Sequence, residues 1–131
     1  MKCLIFNNDE VIDYIIKYAL KRSNRYEVYY PKGEYEEDNP LFNHKKFFVN
    51  NAEKVTSWDG MKDSEVISGR LCDCSKKLIY KAEKSFEKIW KFNLLYDTDI
   101  ILSVDDFDTC VLFAEDDIKK FPKYIKRQVR V

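Results

Sequence analysis

The residues whose types and spacing best suit chemistry lie in the last third of this 131-residue chain. From residue 97 to 117 there are eight acids (Asp97, Asp99, Asp105, Asp106, Asp108, Glu115, Asp116 and Asp117) and no base. From residue 118 to 131 there are six bases (Lys119, Lys120, Lys123, Lys126, Arg127 and Arg130) and no acid. Three chemistries compete for the acids. In the plainest, Asp residues end strands and cap helices, as short polar side chains do. In the second, Asp97-x-Asp99 before Ile100-Ile101-Leu102 is a pair of carboxylates at the head of a strand, the arrangement that holds Mg2+ against a polyphosphate. In the third, Tyr96 and Phe107 are aromatic anchors ringed by carboxylates, the composition of a patch that docks on a basic cleft. Glu34-Tyr35-Glu36-Glu37-Asp38 repeats that aromatic-in-acid pattern and forms a secondary candidate surface.

Other chemistry finds little support. Asp106-x-Asp108 lacks the glycine and closing glutamate of a calcium loop. His44 is the sole histidine, which removes paired-histidine mechanisms and most two-histidine metal sites. Gly33, Gly60 and Gly69 stand alone, so no phosphate-cradling loop exists. Cys3, Cys72, Cys74 and Cys110 do not have the Cys-x2-Cys knuckle spacing and read as free thiols, so no metal or other cofactor is expected. The C-terminal bases, interleaved with Phe121 and Tyr124, suit either RNA or the acidic hairpin of the same chain, and the self-neutralising arrangement is preferred.

Composition narrows the partner. With 23 Lys+Arg against 23 Asp+Glu the net charge is zero, which argues against capture of nucleic acid or membrane by bulk charge. The start, Met1-Lys2-Cys3-Leu4-Ile5-Phe6-Asn7-Asn8-Asp9, is too short in apolar residues for a secretory signal, and no stretch reaches the ~18 apolar residues of a membrane span. A cytoplasmic protein with one globular domain over 1–131 is expected.

The elements that must position these residues follow from periodicity. Residues 2–6 read as a strand. Asn8 caps a helix opening at Asp9-Glu10, with Val11, Ile12, Ile15, Ile16, Ala19 and Leu20 at helical spacing and Lys21-Arg22 at its end. Tyr26-Glu27-Val28-Tyr29-Tyr30 is a strand stopped by Pro31, and Lys46-Phe47-Phe48-Val49 reads as another. Residues 50–64 fit a helix start or a turn at Trp58-Asp59-Gly60. Val66-Ile67 and Leu71-Cys72, flanking Gly69, read as one bulged strand. Residues 75–93 predict a helix capped by Ser75, with Ile79, Ala82, Phe86, Ile89 and Trp90 on one stripe. A hairpin follows, from 100 to 104 and 109 to 114, whose first strand is apolar on both faces and hence central. Residues 117–131 predict a short helix interrupted by Pro122. The whole is α+β: a mostly antiparallel sheet of about five strands, with two long helices packed on one face.

Leu94-Leu95-Tyr96-Asp97-Thr98-Asp99-Ile100-Ile101 and the acidic hairpin after it resemble the small immunity proteins of bacterial toxin–immunity pairs. The resemblance covers the last 40 residues or so. It implies a non-enzymatic protein that neutralises a cognate toxin, often a nuclease, by direct binding in the cytoplasm of the producing cell. The toxin would present a basic surface to Tyr96, Asp97, Asp99, 105–108 and 115–117. The alternatives are a small metal-dependent nucleotidyl- or phosphoryl-transfer enzyme using Asp97 and Asp99, and an RNA-binding regulator using the basic C-terminus. For the former, Leu94-Leu95-Tyr96 stands where such palms carry an upstream Gly-Ser pair.

Overall fold

The structure is a computed structural model describing residues 3–5, 9–31, 42–60, 64–84, 89–105, 109–113, 119–127 and 129–130. In chain order the elements are β1 (Cys3–Ile5), α1 (Asp9–Arg22), β2 (Arg25–Tyr30), α2 (Phe42–Asn51), β3 (Lys54–Ser57), β4 (Glu65–Arg70), α3 (Asp73–Glu83), β5 (Lys91–Tyr96), β6 (Asp99–Asp105), β7 (Thr109–Leu112), α4 (Lys123–Lys126) and β8 (Val129–Arg130). The strands form one sheet in the order β3-β4-β2-β5-β6-β7-β1-β8. Every described ladder is antiparallel. The α+β class stands, with more strands than the five expected and with three helices of ten residues or more. Strand β1 falls within the strand expected over residues 2–6, while the strands not expected include β8, of two residues, and β3, whose four residues are all exposed, so neither carries an alternating signal.

Register explains the two faces. Ile67, Val28, Phe92, Val104 and Cys110 lie in one row across five strands, and Gly69, Tyr26, Leu94, Leu102 and Leu112 in the next. These residues are buried, and the helices cover this face: Phe48 of α2 packs its ring 5.1 Å from Tyr26, and α1 buries Val11, Ile12, Ile15, Ile16, Ala19 and Leu20. Each Val, Leu, Ile or Phe side chain among them contributes about 1.5–3 kcal/mol when fully removed from water. The other face carries Lys54, Ser68, Glu27, Asn93 and Ser103 in one row, and Thr56, Val66, Tyr29, Lys91 and Asp105 in the next. Alternate residues thus point into a helix-covered core and onto a polar face, the usual division in an antiparallel sheet.

Four expectations are corrected. Residues 46–49 are helical, within α2; a run of three apolar residues does not distinguish strand from helix, and here only Phe48 is fully buried. Helix α3 ends at Glu83, and Lys91–Tyr96 is strand β5, bonded on both edges to β2 and β6. The N-cap of α3 is Cys72, with Ser75 as the third helical residue of a capping box, not the cap itself. Strand β4 stops at Arg70, short of Leu71-Cys72, and the sheet's irregularity falls at Leu94/Leu95 instead of near Gly69. The hairpin of β6 and β7 forms as expected, and β6 is interior. No described helix is long and apolar enough to cross a membrane.

Candidate functional site

The β5–β6 connection is a two-residue turn at Asp97-Thr98. Asp97 has φ 52°, a left-handed conformation that Asp tolerates better than most residues. Asn24 holds it there. Its side-chain Nδ2 donates to Asp97 Oδ1 at 2.9 Å, and its Oδ1 accepts the Asp97 N–H at 2.7 Å. The Asn24 backbone extends the clamp, donating to Leu95 O and accepting from Leu71 N–H, each at 2.9 Å. One residue therefore ties the β5–β6 turn to the start of β2 and to the β4–α3 connection. Sequence reasoning passed over it, because an Asn between a helix and a strand is commonplace.

Around this clamp the chain gathers exposed apolar groups. Tyr96, Ile100 and Phe113 are 55%, 39% and 37% exposed, and they are half of the six large hydrophobics so exposed among the described residues. Tyr96 pairs with Asp99, and Phe113 N–H donates to Ile101 O at 2.9 Å. The three side chains thus start from adjacent strands at one end of the sheet, within two inter-strand steps, about 10 Å. Asp97 and Asp99, both exposed, border them. Register pairs Tyr96 with Asp99 and Ile100 with Leu95, so Tyr96 and Ile100 leave opposite faces of the sheet and lie on either side of the tip.

The other sequence candidates separate. Asp105 sits at the far end of β6, six residues from Asp99 and about 20 Å away along the strand. It does not join the tip, and Lys91 Nζ neutralises it at 2.5 Å. Asp106, Phe107, Asp108, Glu115, Asp116, Asp117 and the segment Glu34, Tyr35, Glu36, Glu37 and Asp38 lie outside the described residues. The partner of Asp105 is thus a base of β5, where the self-neutralising arrangement would have placed the C-terminal tail. Phe121 and Ile125 of that tail are buried, and Phe121 meets the rings of Tyr14 and Tyr18 edge-on at 5.3 and 5.0 Å. The tail is therefore a core element, whatever its charges contact.

Beside Asp105 a polar network stiffens the open face of the sheet. Asn93 Nδ2 donates to Glu27 Oε1 at 3.0 Å and lies 3.3 Å from the Tyr29 hydroxyl. The Lys91 ammonium sits 5.1 Å from the Tyr29 ring centre, and the Tyr29, Trp58 and Trp90 rings pack at 5.0 and 5.4 Å. Burial, reinforced by the Glu27 charge, pushes the Tyr29 phenol up to about 12, so it stays protonated and serves as a hydrogen-bonding group. On the helical side a groove of about 470 Å3 is lined by Tyr14, Lys17, Tyr18, Lys21 and Arg22. Its cations are partly engaged: Lys17 pairs with Asp13 at 3.1 Å, and Arg22 lies 4.8 Å from the Tyr18 ring centre.

For metal chemistry the geometry offers little. Among the described residues no three His, Cys, Asp or Glu side chains converge. The Asp97 carboxylate is committed to Asn24. Cys72 and Cys74 follow β4, while Cys110 lies on β7, four inter-strand steps or about 19 Å across the sheet. The four cysteines therefore do not form one ligand set. No protein-family model, curated protein or solved structure matches the chain.

Proposed function

We propose that this protein is a non-enzymatic, cytoplasmic immunity protein that neutralises a cognate bacterial toxin by direct binding, with the tip around Tyr96 as its docking point. The observation that carries this reading is the exposure of Tyr96 beside Asp99 and next to the Asp97 turn that Asn24 clamps, with Ile100 and Phe113 exposed at the same end of the sheet. Exposed apolar groups on a soluble surface are costly to keep unless something covers them, and their concentration at one end marks where. The carboxylate rim selects a basic partner and speeds encounter with it. The clamp removes ordering cost from association, because the tip is held before the partner arrives. Inhibition of this kind needs a complementary patch and no chemistry.

The test is to co-produce the chain with the polypeptide encoded by the adjacent reading frame. The expected result is a 1:1 complex and restored growth of cells that the second polypeptide alone would arrest. Absence of both a complex and protection would refute the assignment.

A further inference from the structure

Among the described residues no carboxylate pairs with Lys120, Lys123, Lys126 or Arg127, which are all exposed. What places this segment is apolar: Phe121 and Ile125 are buried, and Phe121 sets its ring edge-on to Tyr14 and Tyr18 of α1. Those two tyrosines line the groove that also holds Lys17, Lys21 and Arg22. Phe121 thereby brings the backbone of Lys120 and Lys123 to within about 15 Å of the groove, at about 3.8 Å per residue. That distance is comparable with the Debye length, about 10 Å at about 0.1 M salt, so cations from the two ends of the chain act as one field.

The described acids on or beside α1 are engaged. Asp13 accepts from the Tyr80 hydroxyl and pairs with Lys17 at 3.1 Å and Lys84 at 2.9 Å, and Asp97 is held by Asn24 at 2.9 Å. A net charge of zero excludes capture by bulk charge, but not by such a patch. The rings decide which anion fits. An acidic polypeptide needs only the cations, whereas a single strand of nucleic acid also needs flat apolar surface for its bases. Tyr124 offers it: its side chain is 49% exposed, and Lys123 and Lys126 flank it in the short helix α4. Tyr14 and Tyr18 add half-buried rings along the groove. Lys17 and Lys21 stand one helical turn apart, about 6 Å of rise, close to the step between successive phosphates on an extended strand.

We propose that the C-terminal half of α1 and the segment around Phe121 together form a binding surface for single-stranded nucleic acid. Lys21, Arg22, Lys120 and Lys123 meet its phosphates, and Tyr124 stacks on a base. Phosphate contacts of this kind carry no sequence information, so the surface is sequence-tolerant and strongly salt-dependent. It does not rest on the toxin-binding reading.

Fluorescence anisotropy of the full chain with a labelled oligouridine of about 15 nucleotides tests this. Saturable binding is expected, with log K falling by roughly 3 for each tenfold rise in salt if four phosphates are neutralised. Lys21→Ala with Lys120→Ala, one base from each segment, should reduce that slope by about 1.4 and weaken binding about tenfold or more at about 50 mM salt. Tyr124→Ala should weaken it about fivefold or more, and Tyr124→Phe should leave it unchanged. Lys54→Ala with Lys77→Ala, exposed bases of β3 and α3, should change neither affinity nor slope. Circular dichroism checks that each variant is folded. No saturable binding by the wild type, or equal losses from the two double variants, would overturn the assignment. So would displacement of the probe from wild-type protein by polyglutamate as effectively as by unlabelled oligouridine of equal charge, which would mark a surface for acidic polypeptide; this last comparison needs no variant.

Discussion

Asn24 uses both ends of its side-chain amide on one turn, so its truncation makes a sharp test of the clamp. Asn24→Ala loses two hydrogen bonds to Asp97 and leaves its left-handed backbone without support; a cost of about 1–2 kcal/mol in urea unfolding is expected. Asp97→Gly should be milder, since glycine adopts positive φ freely. Gly69 answers to a different constraint. A Cβ there would lie 2.9 Å from the Tyr26 hydroxyl and 3.1 Å from its Cζ, and Tyr26 is too buried to retreat, so Gly69→Ala should cost about 1–3 kcal/mol by thermal or urea unfolding. Asp13 links α1 to α3. The Tyr80 hydroxyl donates to its carboxylate and Lys84 pairs with it at 2.9 Å, which with Lys17 holds its pKa at about 2. Because the folded value lies below the unfolded value near 3.8, this contribution is fully present above about pH 4 and is lost as pH falls toward 2. Asp13→Asn should therefore flatten the acid limb of the stability profile while weakening the protein at neutral pH; an unchanged acid limb would disprove the coupling.

At the scale of elements, what could be read from the sequence followed burial. Helix α1 carries one continuous apolar stripe that all goes into the core, so its start and end were visible. The β6–β7 hairpin was visible too, since Leu102 and Val104 alternate with half-exposed residues between acid-rich ends. Residues 91–96 misled because Ile89 and Trp90 continued the helical stripe of Ile79 and Ala82, whereas β5 pairs with β6 across a two-residue turn and with β2, far away in sequence. Nothing local encodes the pairing with β2. Residues 46–49 misled in the opposite sense. The informative signal there was Asn51, whose side chain donates to Phe47 O at 2.8 Å and closes the last turn of α2. At the candidate site, Tyr96, Asp97 and Asp99 were legible as aromatic among acids, but Phe113 and Asn24 reach the tip only through tertiary pairing. The C-terminal segment belongs to this scale as well. Phe121→Ala should cost about 3–5 kcal/mol, and truncation at Phe121 should unfold the chain, so loss of any binding on truncation would report lost structure.

For the molecule as a whole, the zero net charge is a sum over regions of different character. One end of the sheet presents Asp97 and Asp99 around three exposed apolar groups, while α1 presents Lys17, Lys21 and Arg22 along a groove. Helices α1 and α2 bury Ile15, Ile16 and Phe48 in the core, and α3 meets α1 through Tyr80 and Asp13. On the proposed function the partner would meet a local patch and not an overall field. Neutralising Asp97 and Asp99 together, as Asn, should slow association several-fold at low salt and little at high salt, without altering stability by more than about 1 kcal/mol. The most direct measurement is the affinity of the adjacent-frame polypeptide for wild-type protein and for Tyr96→Ala, by titration calorimetry, with folding of the variant confirmed by circular dichroism. A docking point at Tyr96 predicts a loss of about 30-fold or more, the scale of an interface hot spot; equal affinity for a folded Tyr96→Ala would contradict it.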